Sequence, residues 1–236
     1  MNRKLTAALL VAAATLTNVA FTALGTVFNY PDVLKEPVDD VLTAFRGSQG
    51  VVSGWFTLMA LAAALLAPIA IGVGRLSTHP AMRIAVPVGI GAAAVQVIGL
   101  LRWPLLVPGY AAGAASADPA TATAARESFL TANQILGNIV GETSGYILTA
   151  GWTLLVLVAL RGAFAGGWFT ALGSVSALLV VAGVLSPLNL PVIDLANFAG
   201  YILWSAWLVA FAVLLFRRPS TANATSSGRP LSGVRG

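Results

Sequence analysis

The chain has 236 residues, 58% of them hydrophobic and 9% charged, whereas a soluble domain carries about 25% charged residues, so a soluble fold is excluded. The absence of cysteine rules out disulfides, a thiolate nucleophile and Cys-ligated metals, and the single histidine rules out a haem held by two histidines. The net charge of +5 is sorted by side rather than gathered on a folded surface, so nucleic-acid binding is not expected.

A hydrocarbon core needs about 20 apolar residues per helix. Such runs occur at about 5–27, 51–73, 84–103, 139–161, 167–188 and 193–216. They predict an all-α bundle of six transmembrane helices in one membrane domain, residues 1–218, followed by a disordered cytoplasmic tail at 219–236. The first run is too long for the core of a signal peptide, about 7 to 15 residues, and is expected to be retained as a span.

Between spans one and two, Leu34, Val38, Val41, Leu42 and Phe45 recur at helical spacing among Asp32, Lys35, Glu36, Asp39, Asp40 and Arg46. With Pro37 suited to a first turn, this predicts a short amphipathic helix lying at the membrane interface. Residues 74–82 form a short connection containing His79, a loop histidine with no expected chemistry. The stretch from Pro104 to Arg126 mixes Pro, Gly, Ala, Ser and Thr as a loop would, and residues 127–162 read as one long helix starting outside the bilayer.

Taking the N-terminus as cytoplasmic, that side holds Arg3, Lys4, Arg75, Arg83, Arg161, Arg217, Arg218, Arg229 and Arg235, nine of the 13 basic residues. This is the positive-inside pattern for six spans. It predicts a multi-pass protein of the cell membrane with both termini cytoplasmic and the lipid bilayer as its partner. Oligomeric state is not legible.

Residues three and four apart share a helix face, and four spans carry polar residues at that spacing. Span one has Thr15, Asn18, Thr22, Thr26 and Asn29; span three has Gln96, Gly99 and Arg102. Span four has Gln134, Asn138, Glu142, Gly145 and Thr149, with Tyr146 one turn from Glu142. Span six has Asp194, Asn197, Tyr201 and Ser205. Counting about 1.5 Å per residue from Arg83, Arg161 and Arg217 puts Arg102 and Glu142 about 28 Å up, with Asn197 and Asp194 slightly higher. That level is the outer edge of the hydrocarbon core.

Ionisable groups inside a membrane normally face a partner or a wet cavity. Arg102 with Glu142 is the natural pair, and Asp194 is a competitor for Arg102. The ligand-binding set expected from these stripes is Asn18, Gln96, Arg102, Asn138, Glu142, Tyr146, Asp194, Asn197, Tyr201 and Trp204. A bland alternative stands beside it: the stripes pack the bundle, and Arg102, Trp103 and Pro104 anchor a helix end in the headgroups.

The segments Phe28-Asn29-Tyr30-Pro31-Asp32-Val33-Leu34, Leu100-Leu101-Arg102-Trp103-Pro104, Gly141-Glu142 with Gly145-Tyr146, and Gly200-Tyr201-Ile202-Leu203-Trp204 resemble the bacterial membrane-protein family called domain of unknown function 4386, over about residues 5–216. The resemblance implies six helices and no activity.

Three readings of function follow. The first is an outward-facing polar cavity among helices one, three, four and six that binds a small amphipathic or lipid-like molecule, in a binding or transport-related role. The second is a membrane enzyme on a lipidic or isoprenoid substrate, analogous in architecture to small integral-membrane terpene cyclases, with Glu142 or Asp194 as the catalytic acid. The third is a packing subunit or chaperone without chemistry of its own. No cofactor is expected. Metal hydrolysis is disfavoured because only Glu142 and Asp194 could be hard ligands within the spans, and no Gly-x-Ser-x-Gly elbow is present.

Overall fold

The computed structural model describes residues 2–162, 166–188 and 190–217. The expected disordered tail at 219–236 lies outside the described residues. Among them the chain is all helices and short connections, without a strand. Six helical stretches are long and apolar enough to cross a membrane: Arg3–Phe28, Gln49–Gly74, Pro80–Ala114, Pro119–Leu160, Gly167–Leu188 and Pro191–Arg217.

Helix α1 (Arg3–Phe28) begins at Asn2, whose side chain accepts the Lys4 N–H, and stops at Asn29, a left-handed residue with φ 51°. Asn tolerates that conformation better than most residues. A 3₁₀ turn over Asp32–Lys35 leads to α2 (Val38–Gly47). The second stretch is α3 (Gln49–Ala64) continued by α4 (Leu66–Gly74); Pro68 lacks an N–H to offer the preceding turn, which suits a change of helix there. The third is α5 (Pro80–Leu105) with α6 (Val107–Ala114), and the fourth is α7 (Pro119–Ala132), a π-helical segment (Asn133–Ser144) and α8 (Gly145–Leu160). Helix α9 (Gly167–Ala182) ends in a 3₁₀ turn, Gly183–Leu188, and α10 (Pro191–Arg217) closes the described chain.

Two expectations change. The stretch from Pro104 to Arg126 is mostly helix, not loop, so spans three and four run on as α6 and α7, which pack against each other and against α2. Helix α2 is amphipathic as expected, with Asp39 and Asp40 outward. Its Val41, Leu42 and Phe45, however, are buried against protein, in a cluster with Phe28, Phe56, Trp103 and Phe129. His79 caps α5 by accepting the Ala81 N–H at 3.1 Å.

The core falls into two apolar clusters. One occupies the Arg83 end of the bundle and is built around Trp152, Trp207, Phe169 and Phe211 with Leu10, Ile69 and Met82. The other lies at the opposite end, under α2, α6 and α7, where Trp103 stacks on Phe56 at 4.8 Å. Trp103 is fully buried, which corrects its reading as a headgroup anchor. Polar side chains occupy the seam between the two clusters.

Candidate polar site between the two cores

The seam begins with α5 and the fourth stretch. Gly99 and Gly141 face each other so closely that a Cβ on Gly99 would sit 2.6 Å from the Gly141 Cα. Gly137 makes room for the Arg102 guanidinium in the same way, and Gly145 faces Gln96. The wide π turn thus brings Asn133, Gly137, Gly141 and Gly145, four residues apart, onto the face that meets α5.

That geometry decides what Arg102 does. The side chain is 5% exposed, donates through Nη1 to the Gly99 carbonyl at 2.6 Å and through Nη2 to Asn133 Oδ1 at 2.9 Å. Its Nε is buried with no hydrogen-bond partner. Its carbon Cζ lies 5.4 Å from the Trp103 ring centre. No ion pair joins Arg102 to Glu142 or to Asp194 among the described residues. The expected pair is therefore replaced by a cap on a carbonyl and an asparagine, because Gly99 and Gly137 let the guanidinium fold back between the two helices.

Asp194 binds elsewhere. Its carboxylate meets Lys35 Nζ at 3.3 Å, and the same ammonium meets Asp32 at 3.0 Å. The 3₁₀ turn after α1 is thereby tied to the first turn of α10. Both partners are substantially exposed, so the bridge adds little stability.

Several expected ligand residues find partners inside the bundle. Asn18 Nδ2 donates to Ser205 Oγ at 2.9 Å and to the Ala14 carbonyl at 2.7 Å, linking α1 to α10. Gln96 Nε2 donates to Thr149 Oγ1 at 3.0 Å, linking α5 to α8. Trp204 Nε1 donates to Thr153 Oγ1 at 2.9 Å, and Thr153 in turn donates to the Thr149 carbonyl. Asn197 Nδ2 donates to the Val180 carbonyl at 2.7 Å. Asn138 donates to Gln134 on an exposed face.

Glu142 is different. It is partly buried and stands within electrostatic reach of Arg102, Asp194, Tyr30, Tyr146 and Tyr201. Its carboxylate makes no hydrogen bond within the described residues. Tyr146 and Tyr201 stand with ring centres 6.0 Å apart, and Tyr201 meets Trp204 edge-on at 6.3 Å. Tyr30 lies outside the spans; burial pushes its phenol up to about 12, with Glu142 adding to the rise and Arg102 opposing it. It is therefore a neutral hydroxyl at ordinary pH.

Asn133, Gly137 and Lys35 were not among the residues singled out from sequence, and Gly141 was marked only as part of a motif. The four-residue series Asn133, Gly137, Gly141, Gly145 beside Gln96, Gly99 and Arg102 was the available signal. No group of three or more His, Cys, Asp or Glu residues able to hold a metal occurs among the described residues. Two surface depressions, one between α6 and α7 and one at the Arg83 end, lie away from this cluster.

The model of a family described as domain of unknown function (DUF4386) matches residues 5–212. The chain belongs to that family. The match takes in every helix of the bundle apart from the ends of the first and last, and with them Arg102, Glu142, Tyr146, Asp194 and Tyr201. No curated protein and no solved structure matches the chain.

Proposed function

We propose that the chain is a multi-pass protein of the cell membrane with both termini cytoplasmic. In this reading the polar seam among spans one, three, four and six opens outward and binds a small amphipathic or lipid-like molecule, in a binding or transport-related role. Helix α2 lies at the outer interface above it. The observation that carries the reading is Glu142: a partly buried carboxylate in the π-helical segment of the fourth span, within electrostatic reach of Tyr30, Tyr146 and Tyr201, with no hydrogen bond from the described residues. An ionised or polar group at membrane depth is costly unless partnered, so a ligand that donates to Glu142 completes the site. Arg102, whose Nη1 and Nη2 already serve Gly99 and Asn133, orients the site rather than gripping an anion.

The aromatic walls favour a cationic or donor-bearing head, because ring faces attract positive charge. They also suit the second reading, an enzyme on an isoprenoid substrate, in which Glu142 would be the acid and the Tyr201 and Trp204 faces would stabilise a cation.

The test is mass spectrometry of small molecules that co-purify with the full chain, compared with the Glu142→Gln variant. Gln keeps the shape and loses the charge. The expected result is one enriched amphipathic species in the parent protein, lost in the variant at unchanged melting temperature. An enriched isoprenoid hydrocarbon or its cyclised product would favour the enzyme. The same mixed lipid profile from both proteins would overturn the site and leave the seam as packing.

A further inference from the structure

At the end of the bundle opposite α2, the connection between α4 and α5 forms a groove of about 470 Å³, lined by Gly74, Ser77, Thr78, Met82, Arg83 and Val86. Ser77 Oγ donates to the Ala159 carbonyl at 3.0 Å and accepts the His79 N–H at 3.1 Å, which pins the connection against the end of α8. The Thr78 hydroxyl and the Arg83 guanidinium are exposed and have no partner among the described residues.

Among the described residues none supplies a counter-charge for that arginine. Of its eight acidic residues, Asp32, Glu36, Asp39 and Asp40 lie in the connection between α1 and α3. Asp118 caps the start of α7 and Glu127 lies within that helix, and Glu142 and Asp194 lie in the seam and at the start of α10. The Arg83 end instead carries Arg3, Lys4, Arg75, Arg161 and Arg217. Its groove joins a cation and hydroxyls at the rim to apolar walls from Met82 and Val86.

We infer that this groove is a binding site for an anionic phospholipid, with the headgroup phosphate on Arg83 and Thr78 and an acyl chain running along α5 past Val86. A basic residue near a membrane surface attracts acidic lipid by about 1 kcal/mol, roughly fivefold in affinity. The apolar wall distinguishes a lipid from free phosphate.

Native mass spectrometry of the full chain, released from nanodiscs of phosphatidylcholine mixed equally with phosphatidylglycerol, tests the site. One phosphatidylglycerol is expected to stay bound in preference to phosphatidylcholine. Arg83→Gln should weaken its retention roughly fivefold or more, and Thr78→Val, which removes no hydrogen bond to the described residues, should weaken it in the same direction. Arg161→Gln, outside the groove, should leave it in place. Equal losses from Arg83→Gln and Arg161→Gln would show a diffuse charge effect and overturn the site, as would retention of both lipids alike. Displacement of phosphatidylglycerol by inorganic phosphate would overturn the lipid assignment.

Discussion

The guanidinium of Arg102 donates through Nη2 to Oδ1 of Asn133 at 2.9 Å, across the junction of α5 and the π-helical segment. Replacing Asn133 by Ala leaves that nitrogen buried without an acceptor, at a cost of about 1 to 3 kcal/mol. Asn138, one turn away, has its side-chain hydrogen bond among the described residues with Gln134 on an exposed face, so Asn138→Ala should change stability by less than about 0.5 kcal/mol. Unfolding of the purified variants in a denaturing detergent titration separates the two; equal losses would contradict the assignment of Asn133 as the arginine's partner.

A second prediction concerns the backbone contact beside it. A Cβ on Gly99 would meet the Gly141 Cα at 2.6 Å and the Leu136 carbonyl oxygen at 3.0 Å, none of them a flexible side-chain end. Gly99→Ala should therefore destabilise by about 1 to 3 kcal/mol through overpacking. Gly109, in α6, has open space where its Cβ would be, and Gly109→Ala should be neutral or stabilising by up to about 1 kcal/mol. Thermal melting of the two variants checks the contrast.

Trp204 and Thr153 give a pairwise test of the seam. Thr153→Val removes the acceptor of the indole N–H, and Trp204→Phe removes the donor. A double-mutant cycle should show a coupling of about 0.5 to 2 kcal/mol, the range of interhelical hydrogen bonds in membranes. A coupling indistinguishable from zero would mean that the hydrogen bond does not hold α8 to α10.

The pH response of α7 follows from its first turn. Asp118 accepts from the Thr121 hydroxyl at 2.6 Å and from the N–H groups of Thr121 and Ala120, and these bonds hold its carboxyl below the usual value of 3.8. A depressed carboxylate stabilises fully above its unfolded pKa, and its contribution is lost as pH falls through the lower folded value. Amide exchange at Ala120 and Thr121, corrected for the intrinsic rate, should stay slow from neutral pH down to about 4 and quicken only below that. Asp118→Ala should show the fast exchange at neutral pH, and unchanged exchange there would contradict the cap.

Much of the fold was legible because a bilayer-length run of Leu, Val, Ala and Ile has few alternatives, and all six spans appear close to their expected places. The far ends of spans three and four were not, because the Ala, Gly and Thr of α6 and α7 are small enough to pack together without a strong apolar signal. That polar residues of different spans meet was legible from their shared faces, as Asn18 with Ser205 and Gln96 with Thr149 do, and Glu142 is within electrostatic reach of Arg102, Asp194 and the tyrosines. Their pairing was not. A 3.6-residue period places Asn138 in line with Glu142, whereas the π turn puts Asn133 against Arg102 instead. Lys35 reaches Asp194 from a connection remote in sequence, which periodicity within a helix cannot reveal.

The π-helical stretch Asn133–Ser144 also fixes how the fourth span can vary in length. Each wide turn accommodates residues that an ordinary α-helical turn would not, so deleting one residue there would let the segment wind tighter. Everything on its N-terminal side would rotate relative to α8, carrying Asn133 off Arg102 while leaving Gln96 opposite Thr149. A single deletion inside this stretch should consequently be more damaging than one in the exposed turn between α6 and α7, even though neither removes an apolar residue from the core.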